Sequence, residues 1–235
     1  GRDNDRIWRT HPAFHGVPIE ISGNPRVDLL RPELRDYFAD QINELREQFG
    51  SFVLVNSNFS MVNHYFPHMA PGRLIVEDSA RRRAATEFDV GSAFHWTKLF
   101  EAFLEMVPAL ARNFPNRTFV VRPHPSENYE TWRRVAAGLP NVHVVHEGTI
   151  APWLHAADAI VHTGCTTAIE AYVVGTPAIA FQPVADERFD QKLPNAVSHR
   201  ATNLGELTKL LDAAFDGALV GGASLDADSF VEIVE

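Results

Sequence analysis

Two short stretches carry residue types and spacings suited to holding an anion. The first is His162-Thr163-Gly164-Cys165-Thr166-Thr167, with Glu170 three positions on. Its hydroxyls and backbone N–H groups are donors, and Gly164 lets the chain approach a ligand closely. The second is Arg122-Pro123-His124-Pro125-Ser126-Glu127. Its prolines bracket His124 and fix it in a non-helical conformation. A histidine held there can donate to a phosphate oxygen or protonate a leaving phosphate, which makes His124 the catalytic candidate. Arg122 could add a bidentate fork. Glu127 could orient the imidazole.

Both stretches follow apolar runs. Ala159 to Val161 reads as a buried parallel strand, and 177–182 as the next one. Strand, small polar turn, helix, strand is a βαβ unit. The 163–167 turn then sits where a strand's carboxyl end meets a helix's amino end, with free N–H groups and the positive helix pole. Runs at 51–55, 118–121 and 142–145 read as further strands, with a short sixth at 195–198. Helices are expected over 32–49, 92–113, 129–138, 153–156 and 204–215, with Pro108 kinking or splitting the second. A strand-like run near residue 20 leads to a Gly23-Asn24-Pro25 turn, and 60–90 has no clear pattern.

Alternating strands and helices imply an α/β fold: a Rossmann-like parallel sheet with helices on both faces. Ligands in such sheets bind beyond the carboxyl ends of the strands. Asn56, Ser57 and Asn58 leave the first strand there, either as a ligand loop or as a turn held by asparagine side chains.

Other residues have two readings each. Glu170 could accept from two ribose hydroxyls, or Thr167-Ala168-Ile169-Glu170 could be a capping box. Cys165 is either a nucleophile served by His162 or His124, or an inert buried thiol. Arg81-Arg82-Arg83 reaches phosphates or forms a solvated face. Asp186, Glu187 and Asp190 meet a metal or sugar, or form a solvated loop. Trp153 stacks on a base or packs in the core. His143, His146 and His155 lack a metal-ligand spacing, and no metal is expected.

With 235 residues, 45% hydrophobic and 22% charged, the chain has the composition of a soluble globular protein. A net charge of -9 argues against a nucleic-acid partner. A single cysteine rules out an internal disulfide and suits a reducing compartment. No apolar run approaches the ~20 residues that span a bilayer. The irregular, proline-containing residues 1–31 read as a connector from a missing amino-terminal domain, 32–218 as the Rossmann-like domain and 219–235 as a tail.

Taken together, Gly23-Asn24-Pro25-Arg26 with Asp28-Leu29-Leu30, the Asn56-Ser57-Asn58-Phe59 exit, the 122–127 stretch and the 162–167 turn with Glu170-Ala171 resemble bacterial surface-carbohydrate (capsule and lipopolysaccharide) biosynthesis proteins. These are similar to glycosyltransferases of the GT-B architecture, and the resemblance covers about residues 20–200, the carboxyl-terminal half of such an enzyme. It implies a domain that binds a CMP- or UDP-linked sugar donor, with no other cofactor. His124-Pro125 resembles the His-Pro pair that contacts the CMP portion in sialyl- and Kdo-transferases. Thr163, Thr166, Thr167 and Glu170 match the hydroxyl-rich helix start and its glutamate. It implies a glycan or lipid-linked acceptor, held with the general base by an amino-terminal half. The expected location is the cytoplasm, with peripheral attachment to the inner membrane as an option. The alternatives are a nucleotide-sugar epimerase of similar fold and a non-catalytic nucleotide- or partner-binding domain.

Overall fold

Six parallel strands form one sheet: β1 (Phe52–Asn56), β2 (Thr118–Arg122), β3 (Val142–Val144), β4 (Ala159–His162), β5 (Ala178–Phe181) and β6 (His199–Ala201). Their order is β3-β2-β1-β4-β5-β6, in a computed structural model that describes residues 2–22 and 25–222. Each strand alternates with period two, and both sets are apolar. Val53, Val55, Phe119, Val121, Val161 and Ile179 enter one core, while Phe52, Leu54, Val120, Ile160 and Ala178 enter the other. A sheet buried on both faces needs this near-continuous apolar character.

Helices cover both faces. Before β1 come α1 (Arg2–Thr10), α2 (Pro25–Asp28), a 3-10 turn over Pro32–Phe38 and α3 (Ala39–Phe49). Between β1 and β2 lie a 3-10 turn (Pro67–Met69), α4 (Pro71–Glu77), α5 (Ser79–Ala84) and α6 (Glu87–Asn113). The remaining crossovers are α7 (Tyr129–Ala136), α8 (Ile150–Ala156), α9 (Thr167–Val174) and α10 (Lys192–Ala196), with α11 (Leu204–Phe215) after β6. Leu99, Phe103 and Leu110 of α6, Trp132 of α7 and Leu207 of α11 fill the first core. Ile42 and Phe49 of α3, Leu154 of α8 and Ala168 of α9 fill the second. Large side chains such as Phe103 and Trp132 contribute about 1.5–3 kcal/mol each by leaving water.

Some elements differ from the sequence reading. The 92–113 helix begins five residues earlier, where Thr86 and Asp89 form a reciprocal capping box. It runs unbroken through Pro108, so of the expected kink or split the split does not occur: Val107, Leu110 and Ala111 beside the proline are buried, and packing of that face offsets the one lost hydrogen bond. The expected helix over 32–49 is 3-10 in its first half. Residues 195–198 are not a strand; they close α10, and the strand follows at 199–201. Residues 20–22 form no strand, and Gly23 and Asn24 of the expected turn lie outside the described residues. Residues 60–90, unreadable in sequence, hold α4, α5 and the start of α6.

The strand order reverses beside β1. Val53, Leu54 and Val55 pair with Phe119, Val120 and Val121 of β2 on one side, and with Ala159, Ile160 and Val161 of β4 on the other. The crossovers leaving β1 and β4 depart in opposite directions, which opens a crevice above their carboxyl ends.

Candidate functional site

A cavity of about 750 Å³ occupies that crevice. Each wall is the exit of one strand: Asn56, Ser57 and Asn58 after β1; Arg122 to Pro125 at the end of β2; His146 and Gly148 to Ala151 after β3; Cys165, Thr166, Thr167 and Glu170 after β4. The segment ahead of α3 closes it with Arg26, Leu29, Leu30, Tyr37 and Phe38.

Glu127 ties the walls together. It is 1% exposed. Its Oε1 accepts from the Ser57 hydroxyl (2.7 Å) and the His124 backbone N–H (3.0 Å). Its Oε2 accepts from Trp132 Nε1 (3.0 Å) and Asn63 Nδ2 (3.4 Å). Glu127 therefore places the His124 backbone and does not orient its ring, contrary to expectation. Ser126 does that: its hydroxyl lies 2.7 Å and its N–H 3.3 Å from His124 Nδ1. Because the N–H can only donate, Nδ1 accepts and the neutral ring carries its proton on Nε2. His124 is exposed at the cavity wall, where that proton can serve a ligand.

The fork of Arg122 closes on backbone rather than waiting open for phosphate. Its two terminal nitrogens donate to the carbonyls of Glu147 (3.0 Å) and Gly148 (2.8 Å), and its guanidinium lies 5.5 Å from the Trp153 ring. Burial lowers its pKa, as for any desolvated cation. Arg122 thus shapes the loop after β3 and brings positive charge to the wall. Trp153 is a core residue, 3% exposed and packed on Phe49 and Phe52. His146 lies in this loop; burial first, and then the Arg122 charge, push its pKa down.

The 163–167 turn divides between two duties. Thr163 is buried, and the Gly164 N–H donates to Asn195 Oδ1 (3.1 Å). Gly164 has φ +62° and sits against Gln191. Gly164 anchors the turn to α10, and neither it nor Thr163 lines the cavity, while Cys165, Thr166 and Thr167 do. His162 is fully buried, with Nδ1 accepting from the Cys165 N–H (3.4 Å) and Nε2 donating to Ser198 Oγ (2.8 Å). The Ser198 hydroxyl in turn donates to the Pro194 carbonyl (2.7 Å). Burial pushes the His162 pKa down to about 3. Its nitrogens are both engaged, so it is no base for Cys165. Burial likewise raises the Cys165 pKa, and its thiol donates to Thr167 Oγ1 (3.2 Å), which fits the inert reading.

Glu170 makes no capping box. The N-cap of α9 is Thr166, without a side-chain cap bond, so Glu170 falls one position too late. It is 7% exposed, and burial raises its pKa while Arg26 opposes that. Its Oε1 lies 3.5 Å from Arg26 Nε, and its Oε2 is buried without a partner. Asn56 Oδ1 and His146 Nδ1 are buried without partners as well, and all three residues line the cavity.

Arg26 and His146 were not among the candidates read from sequence. His146 lies two residues past the end of β3, the kind of position the strand-exit rule selects. Arg26 is far from the other walls in sequence and reaches the cavity only through folding of α2 against α9. Elsewhere, Asp186 pairs with Arg188 and Asp190 with His95 (3.0 Å). Among the described residues no group of three or more His, Cys, Asp or Glu side chains could hold a metal ion. Arg81 and Arg82 lie on α5 outside the cavity, against Asp78 and Phe94.

No protein-family model and no curated protein sequence matches the chain. Solved structures share its fold. UDP-GlcNAc 2-epimerase from Neisseria meningitidis, bound to UDP-GlcNAc, matches with TM-score 0.51 and 14% identity over 86% of this chain and 50% of that one. The Methanocaldococcus jannaschii UDP-GlcNAc 2-epimerase, in complex with UDP-GlcNAc and UDP, matches with TM-score 0.50 and 12% identity over 98% of this chain and 57% of that one. A beta Kdo 2,4 transferase from Thermosulfurimonas dismutans has TM-score 0.30 at 15% identity over 89% and 67% of the two chains, too low to carry an argument. The chain spans about half the length of the two epimerases. At these identities the likeness establishes the Rossmann-like α/β fold alone.

Proposed function

We propose that this domain binds a nucleotide-sugar and is the donor half of a GT-B glycosyltransferase of bacterial surface-polysaccharide synthesis. The observation that carries the first part is the set of buried polar atoms without partners at Asn56, His146 and Glu170, in the same cavity as Arg26, Arg122 and His124. Each buried polar atom without a partner costs about 1–3 kcal/mol. A ligand that relieves the Asn56 and Glu170 oxygens brings O–H or N–H donors, and one that suits the cations brings negative charge. A CMP- or UDP-linked sugar combines ribose hydroxyls, base N–H groups and phosphate. The cavity is lined by two arginines, Arg26 and Arg122, and two histidines, His124 and His146, against one carboxylate, Glu170, and that local balance favours an anion at this place.

In this scheme Glu170 accepts from the ribose hydroxyls. Thr166, Thr167 and Cys165 meet the phosphate at the start of α9, on a turn that Gly164 ties to Asn195. His124 Nε2–H donates to the departing phosphate, and with Arg26, Arg122 and the helix pole it stabilises the charge that develops there. Asn56, Ser57 and Asn58 form the wall beside it, positioned through Glu127. The scheme routes no step through a metal. A glycan or lipid-linked acceptor would be held, with the general base, by an amino-terminal domain. Among the described residues no helix is long and apolar enough to cross a membrane, and a cytoplasmic place for the reaction is part of the proposal.

A second reading is a nucleotide-sugar epimerase. It is favoured by the two structures of TM-score 0.50 and above, whose names are those of UDP-GlcNAc 2-epimerases. Product analysis with donor alone separates the two, since epimerisation needs no acceptor. Titration calorimetry with CMP, CDP and UDP tests the shared premise. Binding of none of them by folded protein overturns it, and binding without turnover leaves a nucleotide-binding module.

A further inference from the structure

The acidic loop after β5 takes no direct part in the cavity, yet it spans from α6 to the 163–167 turn. It is a tight turn over 186–190. The N–H groups of Phe189 and Asp190 donate to the Asp186 carbonyl (both 2.9 Å), and the Asp186 N–H donates to Asp190 Oδ2 (2.9 Å). The other oxygen, Oδ1, accepts from Nε2 of His95 on α6 (3.0 Å), because a carboxylate can only accept. His95 is buried. Phe189 is buried beside it, and a Cβ on Gly91 of α6 would lie 2.7 Å from its Cζ, so the ring needs a glycine there.

The next residue, Gln191, is the N-cap of α10. Its Cβ and Cγ occupy the space where a side chain on Gly164 would stand. Four residues on, Asn195 Oδ1 accepts the Gly164 N–H (3.1 Å). Gly164 is therefore backed by Gln191 and Asn195, while Cys165, Thr166 and Thr167 after it face the cavity. His95, Phe189, Asp190 and Gln191 do not line the cavity, so they act on it only through this turn. Packing of Phe189 on His95 and Phe88 already docks the loop on α6. Apolar contact tolerates a slide along the helix; a buried, directional hydrogen bond does not. A slide would move Gln191 off Gly164.

We infer that His95 is a positioning residue for phosphate binding. Through Asp190 it fixes where Gln191 stands against Gly164, and so fixes the turn that meets the phosphate oxygens. The inference rests on the nucleotide-sugar reading of the cavity. It assigns the acidic loop a task that is neither a metal site nor a solvated surface: Asp190 is spent on α6, and the segment that follows it sets the turn.

The test is NMR titration of the chain with cytidine and uridine beside CMP and UDP, with the Gly164 amide signal followed throughout. His95→Phe, which keeps a ring, and Asp190→Ala each remove the hydrogen bond, so the test stands if either variant folds. Both should shift the Gly164 signal and weaken nucleotide binding by about 3- to 30-fold, the usual range of coupling between distant groups, with nucleoside binding unchanged. His95→Gln, which can place an amide N–H near the Nε2 position, should restore both readouts. Nucleosides weakened as much as nucleotides, or nucleotide affinity unchanged without the hydrogen bond, overturns the inference and leaves the cavity reading standing. No binding of either nucleotide to the parent overturns the cavity reading, and the inference with it.

Discussion

Arg26 Nε lies 3.5 Å from Glu170 Oε1, while Oε2 of the same carboxylate is buried with no partner. A residue held this way is half satisfied. The ion pair offsets part of the cost of burial, and the free oxygen is left for a donor that arrives with a ligand. The Glu170→Gln variant should therefore bind nucleotide about 10- to 100-fold more weakly, as expected for losing a charged hydrogen bond of about 1.5–3 kcal/mol. Calorimetry with the tightest-binding nucleotide checks it. Unchanged affinity would remove Glu170 from the site.

The same residue makes a stability prediction of opposite sign. Burial raises its pKa above 4.5. The native state then binds its proton more tightly than the unfolded chain, so stability falls as pH rises through the interval just above that value. Glu170→Gln lacks this loss. Its urea midpoint relative to the parent should rise as the pH increases above 4.5. A difference that stays flat with pH would contradict the assignment.

His162 acts the other way. Its native pKa is lowered to about 3 from 6.5. The unfolded chain takes up a proton that the fold refuses, so stability present above 6.5 is lost as pH falls toward 3. Thermal melts of the parent should drop across that interval, and those of His162→Gln should drop less steeply. Equal slopes would mean that the imidazole titrates in the folded protein.

Glu127 accepts from donors on Ser57, His124, Trp132 and Asn63. Glu127→Gln turns a donor toward groups that are themselves donors. A loss of about 2–4 kcal/mol in urea denaturation is expected, from the uncompensated burial and the lost charged bonds. Nucleotide affinity should fall with it, because the loops after β1 and β2 lose their common anchor.

At Gly164 the backbone has φ +62°, and an added Cβ would lie 2.9 Å from both Cβ and Cγ of Gln191. Gly164→Ala should cost about 1–2 kcal/mol in left-handed strain alone, with more from moving Gln191. A lower melting temperature together with weaker nucleotide binding is the expected pair of results. Lower stability with intact binding would separate the turn from the ligand.

The sheet was legible because its strands are apolar on both sides, as Phe52 to Val55 and Ala159 to Val161 show. The strand exits at Arg122 and Thr163 were legible for the same reason. What misled was local spelling. Thr167-Ala168-Ile169-Glu170 reads as a cap, but α9 takes Thr166 as its N-cap, and one residue of offset turns Glu170 from a partner in the helix-start cap into a cavity wall. Thr86 and Asp89 were not read as a cap and form one. Cap choice depends on where the helix axis must point to pack, which spacing does not encode.

The sequence by itself determined the parallel α/β sheet and the strand ends where a ligand can sit, because period-two burial and small polar turns are local properties. Only the tertiary structure decided which groups share the cavity. Arg26 meets Glu170 across 144 residues of chain, and Arg122 spends its fork on the loop after β3. Partner choice follows from which segments pack side by side, and that is settled by the order of the strands.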